Sequence, residues 1–469
     1  MFLLANLKIK MIVDRIIILF SFVLLIVLIW ANSSYAASFT VCDAGHGCNY
    51  TTIASAISAL KNGSANTITV KNPYSGNERL KINKAGASDS ERVVIIANRG
   101  YVPITKGFVV TSNYVTVNGF EMTSCGASIC AIAVADYVSF LNNKVHGSNG
   151  SGYRYEMGND DSTTYRNYTV LKGNNVYAAN GVTGYHLIEV HANYSTIDSN
   201  ELHNCVDCDG IFFWGHDSVI SNNYIHDITY GNGANHSDNF QTFGDCGSAE
   251  CHTMYNYVIE KNLCISTGAD LQPFNIENTS QDFHDLTIRN NIFINFGTQG
   301  NIGSPCTYVY NNTFIDVGTI NHFSLNMMHE QDDGNAYCTG CVVKNNIFLM
   351  NFNGDPIVGT GLSYTTHTNN HTVRWSGSTY NTRSGWTEMG GVMGQNPQFV
   401  NYTLGTYTCG TYDFVNHTCT NFDLHIASNS PDKDVGANLS SVWSSATDIV
   451  GVSRPQGSGW DIGAYEYKP

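Results

Sequence analysis

The chain has 469 residues, of which 13% are charged and 42% hydrophobic, with 44 Gly against only 9 Pro. This composition excludes an intrinsically disordered chain and predicts a large buried core. Acidic residues outnumber basic residues by 38 to 23, which gives a formal net charge of -15. A nucleic-acid-binding protein needs a clustered surplus of Lys and Arg, so that class is excluded as well.

The first 36 residues have the pattern of an export signal. Basic residues precede an apolar run over residues 16–31, and Ser34-Tyr35-Ala36 supplies the small residues at which a signal peptidase cuts. We therefore expect residues 1–36 to be a signal peptide and the protein to be secreted or held at the cell surface. An uncleaved membrane anchor is the alternative, because the apolar run is slightly longer than a usual signal core.

The cysteines agree with export, because most of the 14 fall in close pairs that predict local disulfides. The pairs are Cys42/Cys48, Cys125/Cys130, Cys205/Cys208, Cys246/Cys251, Cys338/Cys341 and Cys409/Cys419. Cys264 and Cys306 are left over. Two of the pairs have C-x-x-C spacing, which is also found in zinc sites, but they are far apart in the chain and in an oxidising compartment.

The strongest pattern is an internal repeat. Eight short segments, such as TIDSNELHN and VISNNYIHD, carry an Asn between two apolar positions, one three residues before it and one two residues after it. The aligned residues are Asn143, Asn175, Asn200, Asn223, Asn262, Asn291, Asn312 and Asn346. Short apolar runs that alternate with polar residues predict strands. The repeating unit is therefore a set of short strands around one Asn, and insertions of variable length separate successive units.

Asn suits the corner between two such strands, because it adopts the left-handed conformation more readily than other non-Gly residues. If each unit is one coil, equivalent residues stack about 4.8 Å apart. The Asn amides then form a ladder, and the apolar columns form a continuous core. The sequence thus predicts an all-β, single-stranded parallel β-solenoid.

The eight Asn-cornered coils, over residues 111–351, resemble the right-handed parallel β-helix proteins of the pectate-lyase-like superfamily. Residues 37–110 resemble the N-terminal cap and first coils, with a capping helix around Ile53 and Ile57. Residues 352–469 resemble the last coils and the C-terminal closing segment of secreted carbohydrate-active members. The resemblance implies a polysaccharide groove along the strand preceding the Asn corner. It implies no particular activity, because many activities share this scaffold.

Aligning successive coils on their Asn places His186, Asp209 and Asp238 in one column, which Asp270 would continue. Carboxylates stacked about 5 Å apart are costly unless a cation, a shared proton or a substrate compensates. Asp209 and Asp238 are therefore the first candidates for catalytic residues. They are also the candidate ligands for Ca²⁺, the one cofactor considered.

Seven of the 16 His lie between residues 186 and 252, where the interval between aligned Asn residues is longest. A long insertion beside titratable residues is typical of a substrate loop on a rigid scaffold. His216 and His236 are expected within reach of the Asp column as acid, base or orienting group. The expected substrate-binding residues are His186, Glu189, Trp214, Gln241 and Asp270. Glu189 and Gln241 are expected to lie in different columns, and the direction of their side chains is not established.

Another set of histidines receives a structural interpretation. His146, His203 and His226 occupy the same position after the Asn corner. They therefore predict a stacked column on an outer face rather than a set of ligands.

Three reaction types fit these residues. Asp209-Gly210-Ile211 and Asp238-Asn239-Phe240 resemble two motifs of inverting hydrolases of the polygalacturonase type, although that family's Gly-His-Gly and Arg-Ile-Lys motifs have no match in the following coils. Lyases of this fold abstract a proton α to a uronate carboxylate, for which a His or Tyr base with Ca²⁺ on the two Asp would serve. An epimerase would use similar parts. We expect a carbohydrate-processing monomer that acts on a polysaccharide.

The alternative from another class is a non-catalytic rod for adhesion at the cell surface. A rod predicts an Asp column that is solvated and replaceable. An enzyme predicts that Asp209, Asp238 and a His converge within about 3 to 8 Å. The geometry of the column therefore discriminates between the two.

Overall fold

One coil of the chain illustrates the whole architecture. His186–Asn193 forms a first strand, Tyr194 (φ 55°) turns the chain, and Thr196–Asp198 forms a second strand. Ser199 (φ 55°) turns the chain again, and Glu201–Val206 forms a third strand. Each strand pairs in parallel with its counterpart in the next coil. This pairing confirms the predicted right-handed parallel β-helix.

We call the sheets formed by the first, second and third strands of the coils the front, side and back sheets. The front strands are Leu80–Ile82, Phe108–Val110, Ala131–Ala133, Tyr155–Met157, His186–Asn193, Asp209–Ser221, Ser237–Phe243, Leu271–Glu277, Gly300–Ile302, Leu325–Met327 and Ile357–Val358. The side strands are Ser38–Val41, Asn66–Val70, Val93–Ala97, Val115–Asn118, Val138–Leu141, Val170–Lys172, Thr196–Asp198, the second half of Asp209–Ser221, Met254–Glu260, Phe283–Arg289, Tyr308–Tyr310, Val342–Lys344 and Thr366–Thr368. The back strands are Ile104–Thr105, Glu121–Met122, Lys144–Gly147, Asn175–Ala178, Glu201–Val206, Tyr224–Thr229, Leu263–Ile265, Ile292–Ile294, Thr313–Ile315, Ile347–Met350, His371–Ser376 and Val392–Met393, with Thr379–Asn381 antiparallel at the end.

The computed structural model describes residues 36–469 except 101, 124, 126–128, 148–154, 159–164, 179–185, 230–236, 244–251, 268–270, 278–282, 317–323, 329–337 and 353. Most of the expected signal peptide, the Cys246/Cys251 pair and two site candidates, His236 and Asp270, lie outside these residues. Within the described part of the chain, no helix has the length and apolar character needed to cross a membrane.

The predicted Asn ladder is present, and it is longer than the sequence indicates. Each ladder amide donates to the side-chain oxygen of the Asn in the next coil and to a backbone carbonyl, at 2.8 to 3.2 Å. The ladder residues are Asn143, Asn174, Asn200, Asn223, Asn262, Asn291, Asn312, Asn346 and Asn370. Glu388 ends the ladder by accepting from the amide of Asn370 at 2.7 Å.

Two details of the predicted corner are wrong. The second coil uses Asn174 instead of Asn175, because Gly173 (φ 67°) takes the left-handed position there and shifts the motif by one residue. Asn175 begins the back strand and donates to Glu201. The left-handed residue is also not the ladder Asn itself but the residue before it, such as Asn222 (φ 56°). Corner geometry and amide pairing are therefore divided between two adjacent positions.

The N-terminal cap is confirmed as a short helix, Ile53–Ala59. The Thr52 hydroxyl accepts from the backbone N–H of Ser55 at 3.1 Å, which is a standard N-cap. Ile53, Ala56 and Ile57 are buried in the main core. The helix thus closes the first coil.

The C-terminal segment packs on the outer face of the back sheet. Its hairpins, Phe399–Asn401 with Asp423–Ile426 and Tyr412–Asp413 with Thr418–Cys419, share a second hydrophobic core with the outer face of the later back strands. The Gly463 N–H donates to the carbonyl of Asn345 at 2.7 Å. The sequence resemblance implies a segment that closes the open end, whereas the structure shows a lateral cover.

Four of the predicted disulfides are formed. They are Cys42–Cys48, Cys125–Cys130, Cys205–Cys208 and Cys409–Cys419. The predicted Cys338/Cys341 pair is unbonded: both thiols are buried and lie on the backbone carbonyls of Ile302 (2.9 Å) and Ser304 (3.4 Å). No cluster of three or more metal-ligating side chains occurs among the described residues.

Candidate functional site

The predicted column of His186, Asp209 and Asp238 exists at the start of the front strands. His186 pairs in register with Asp209, and its Nδ1 donates to Oδ2 of Asp209 at 2.9 Å. The backbone N–H of Asp238 donates to Oδ1 of the same carboxylate at 2.8 Å. Gln272 follows in the column, opposite Asp238. Three coils thus meet at the Asp209 carboxylate.

Local sequence fixes the position of Asp209. The Cys205–Cys208 disulfide closes the turn between the back strand and Asp209, and Asp207 in that turn is left-handed (φ 49°). Gly210 follows because a side chain there would lie 2.7 Å from the carbonyl oxygen of Asn239. The Asp-Gly pair therefore serves two purposes: the Asp side chain binds its neighbours, and the Gly lets the next coil approach.

The dyad of His186 and Asp209 is partly accessible, whereas Asp238 is fully buried. The side chains of His186 and Asp209 are 16% and 9% exposed, and Asp238 is 0% exposed. A column of solvated charges, as expected for a rod, is therefore not what the structure shows. Of these three residues, His186 is the most exposed.

A second histidine–carboxylate pair lies on the other side of Phe212. His191 Nε2 is 3.2 Å from Oε1 of Glu189, and both side chains are buried. The ring of Phe212 stacks on His186 at 4.5 Å and lies 6.3 Å from His191. Glu189, Phe212 and Gln241 follow one another in register. The expectation that Glu189 and Gln241 lie in different columns is therefore wrong.

Trp214 covers this second pair and is not open to a sugar. Its indole stacks on His252 with 3.5 Å between ring centroids, and its Nε1 donates to the carbonyl of Phe243 at 2.7 Å. Only 4% of Trp214 is exposed. The ring face that a sugar would need is therefore covered by His252, and the expected binding role of Trp214 has no geometric support.

The structure does not bring His216 to the Asp column. Gly215 (φ 105°) bends the strand Asp209–Ser221, so that His216 lies seven residues beyond Asp209, in the side sheet. Its Nδ1 is 2.7 Å from Oδ2 of Asp217, and its ring stacks on Tyr255. At about 3.3 Å per residue the chain distance exceeds 20 Å. The expected role of His216 at the column has no geometric support.

The position of the predicted groove also needs correction. The strand directly before the Asn corner is the side strand, whereas the Asp column begins the front strand. Only the long strand Asp209–Ser221 combines both. The outer row that continues from Gln241 along the front sheet consists of Asn275, Asn301 and Asn326. The amides of this row bond to one another at 2.9 to 3.0 Å.

Ca²⁺ does not fit the described part of the site. The ion takes six to eight oxygen ligands, and the column supplies the carboxylates of Asp209 and Asp238. Both oxygens of Asp209 already accept from His186 and from the backbone of Asp238. We derive no step of the reaction through a metal ion.

Sequence reasoning missed two features of this site. Phe212 separates the two histidine–carboxylate pairs, and the ring of His252 stacks on Trp214. The signal for Phe212 was its place between Glu189 and Gln241 in the aligned coils. His252 left no signal, because the contact depends on the path of a long loop.

No protein-family model matches the chain, and no curated protein matches it. Among solved structures, the pectate lyase Pel9A is similar at 15% identity, over 93% of this chain and 97% of that one, with a TM-score of 0.47. A polysaccharide lyase of family PL6 from Pseudopedobacter saltans is similar at 12% identity, over 62% and 84%, with a TM-score of 0.38. A GH136 lacto-N-biosidase from Eubacterium ramulus is similar at 9% identity, over 59% and 63%, with a TM-score of 0.37.

These similarities concern the fold. The parallel β-helix that the sequence predicts is the fold observed, as the strand pairing establishes. At identities of 15% and below, the neighbours assign no activity to this chain. The site itself must carry the functional argument.

Proposed function

We propose that the chain is a secreted enzyme that processes a polysaccharide, with His186 as the catalytic base and Asp209 as its orienting residue. The observation that carries the proposal is the 2.9 Å hydrogen bond from His186 Nδ1 to Asp209. It places the proton on Nδ1, which makes Nε2 the basic nitrogen of the ring. The second hydrogen bond to Asp209, from the backbone of Asp238, holds the carboxylate in this orientation.

The arrangement favours proton abstraction over hydrolysis by two carboxylates. A glycoside hydrolase needs one carboxyl group as acid and a second as base or nucleophile, both directed at the substrate. Here the oxygens of Asp209 are engaged, and Asp238 is 0% exposed. A lyase or an epimerase begins with the removal of a proton by one base, the role that His186 would take here.

In a lyase, Nε2 of His186 takes the proton from the carbon α to a uronate carboxylate. The electron pair of that C–H bond forms a carbon–carbon double bond as the glycosidic C–O bond on the neighbouring carbon breaks. The leaving oxygen takes a proton from water and the imidazolium of His186 returns its proton to water, so that one chain becomes two and one new end is unsaturated. Asp209 stabilises the imidazolium formed in this step, as carboxylates do for catalytic histidines.

The row of Gln241, Asn275, Asn301 and Asn326 supports an extended ligand. Its members lie one coil apart, about 4.8 Å along the solenoid axis, next to the column that holds Asp209. Gln241, Asn301 and Asn326 are partly exposed and present amide groups that can bond to sugar hydroxyls, whereas Asn275 is 2% exposed. This row therefore supports a linear polysaccharide bound along the front sheet.

The test is an activity assay on a panel of uronate and neutral polysaccharides, with added Ca²⁺ and with a chelator. Absorbance of unsaturated ends reports a lyase, and new reducing ends without that absorbance report a hydrolase. We expect unsaturated ends. His186→Ala is expected to lower kcat at least about 100-fold, the lower range for loss of a general base.

The matched control is His284→Ala. Its ring makes the same Nδ1 contact with a neighbouring carboxylate, Asp285, at 2.7 Å, but on the side sheet. Full activity of the His186→Ala protein would contradict the assignment. Silence of the folded wild-type protein across the panel would favour the non-catalytic rod.

A further inference from the structure

A cleft lies where the C-terminal segment meets the back sheet, on the opposite side of the coil from the front sheet. Its volume is about 420 Å³. The solenoid contributes Glu201, Tyr224, His226 and Asp227 to its wall. The C-terminal segment contributes the strip from Tyr407 to Phe414. No part of the Asp column lines this cleft.

Two carboxylates flank one imidazole in the cleft. His226 Nδ1 is 2.8 Å from Asp227, and its Nε2 is 3.2 Å from Glu201. The hydrogen bonds from His226 lower the pKa of both carboxyl groups. Burial opposes the charge on His226, but the two carboxylates raise its pKa above the usual value. Burial lowers the pKa of the adjacent His203. The cleft therefore holds two carboxylates on either side of one imidazole.

Aromatic rings line the same cleft. Tyr224 stacks on His226 at 4.0 Å and lies 4.7 Å from Tyr412, whose ring packs edge-on against Phe414 at 4.8 Å. Tyr407 and Phe414 are half-buried, so part of each ring faces the opening. The cleft thus offers apolar ring surface beside charged hydrogen-bond acceptors.

We propose that this cleft binds an uncharged sugar unit of a polysaccharide. A sugar ring has an apolar C–H face that suits the aromatic wall, and a rim of hydroxyls that donate to Glu201 and Asp227. Its volume lies within the range of small-molecule sites. The net negative charge of the flanking groups disfavours a uronate.

This proposal extends the proposed function, because it names neutral sugars as a second component that the protein recognises. It does not require His186 to be catalytic. A polysaccharide that contains both kinds of unit would bind its uronate units at the front sheet and its neutral units in this cleft. The two sites therefore fail or succeed separately in experiments.

The test measures binding in the His186→Ala protein, so that no ligand is consumed. The probes are neutral oligosaccharides of glucose, xylose, mannose, galactose and arabinose, with oligogalacturonate and oligomannuronate as charged comparisons, titrated by calorimetry. We expect at least one neutral oligosaccharide to bind, and Glu201→Gln and Phe414→Ala each to weaken it about tenfold or more.

Asp285→Asn is the control. Asp285 (φ 54°) contacts the histidine that precedes it, as Asp227 (φ 51°) does in the cleft. Asp285 itself lies outside the cleft. Thermal unfolding of each variant checks that the fold is retained. Absence of neutral-sugar binding at millimolar concentration, equal binding of uronates, or affinity unchanged in both cleft variants would overturn the proposal. None of these results bears on cleavage by His186, which the activity assay tests.

Discussion

The back sheet has an exposed half and a covered half, although one ladder runs through both. In the first half one outer column consists of His146, Tyr177, His203 and His226, whose rings stack at 4.8 to 5.0 Å. The predicted outer column of histidines is thereby confirmed. In the second half the same column continues as Ile265, Ile294, Ile315, Leu349 and Val373, all at most 3% exposed beneath the C-terminal segment.

The comparison separates two sources of stability. Backbone pairing and the Asn ladder continue unchanged from the exposed half to the covered half, so they do not depend on what lies outside the sheet. The outward side chains decide whether water or protein covers each coil. The proposed sugar cleft lies at the boundary, between His226, the last ring, and Ile265, the first aliphatic residue of the column.

The largest loss of stability is expected from changes in the Asn ladder, which runs through both halves. Asn200 and Asn312 each donate twice and accept twice, and both are fully buried. Replacing either with Ala orphans several buried polar groups at about 1 to 3 kcal/mol each, so we expect a loss of about 4 kcal/mol or more in the free energy of unfolding.

Urea unfolding of Asn200→Ala and Asn312→Ala measures these losses, with Asn175→Ala, outside the ladder, as the control. The control is expected to lose less than about 1 kcal/mol. Similar losses in the two ladder variants would support a ladder that is independent of the cover. A loss confined to one half would contradict it.

The next effect concerns the attachment of the cover. Arg454 is completely buried with Glu466 at 2.9 Å, and it donates to the carbonyl of Gly463 at 2.8 Å. Arg454→Met leaves the Glu466 carboxylate buried without its cation, at a cost of about 3 to 5 kcal/mol. Hydrogen exchange should then rise at Ile294 in the covered half and stay unchanged at Val145 in the exposed half.

The double variant Arg454→Met/Glu466→Leu sharpens this result, because it removes both charges. We expect it to recover part of the lost stability. Increased exchange in both halves of Arg454→Met would show that the cover and the solenoid unfold together.

A smaller effect is expected within the shared outer column. Ile294→Ala removes side-chain atoms that are 0% exposed under the cover, for a loss of about 2 to 4 kcal/mol. His203→Ala changes the same column in its exposed half, and we expect a loss of about 1 kcal/mol or less in the free energy of unfolding. Chemical denaturation compares the two. Equal losses would mean that the exposed stack contributes as much as the covered core.

The smallest effect depends on pH and again belongs to the covered half. Burial, together with the charge of Lys261, lowers the pKa of His417 to about 4. Because this folded-state pKa lies below the unfolded value, stability is present above pH 6.5 and is lost as the pH falls through that value towards 4. The loss should be about 2 kcal/mol between about pH 7 and about pH 5.

Comparison of the wild-type protein with His417→Gln isolates this contribution from other titrating groups. Unfolding curves at the two pH values should show a smaller loss in the variant. An identical pH dependence would exclude His417 as its cause.

Much of the fold could be predicted because its signals are local and repeated. The apolar positions and the Asn recur in nine coils, and Asp209 and Asp238 fall at the same place in successive coils. The errors arise where one residue changes the count: Gly173 shifts the ladder to Asn174, and Gly215 carries His216 away from the column.

The remaining features depend on long-range packing. The contact between Trp214 and His252 joins residues that are far apart in the sequence. The C-terminal segment covers the back sheet from the coil in which the outward residue changes from His226 to Ile265. That change is visible in the sequence, but nothing local shows which segment covers it. The orientation of His186 by Asp209 also requires coordinates, because register alone gives proximity without donor geometry.

The most direct test of the proposed chemistry is the rate of formation of unsaturated ends by wild-type, His186→Ala and His284→Ala proteins on the best substrate of the panel. The account predicts a loss of about 100-fold or more for His186→Ala and an unchanged rate for His284→Ala, with both variants folded. A His186→Ala protein as active as the wild type, or a wild type that forms reducing ends without unsaturated ends, would contradict it.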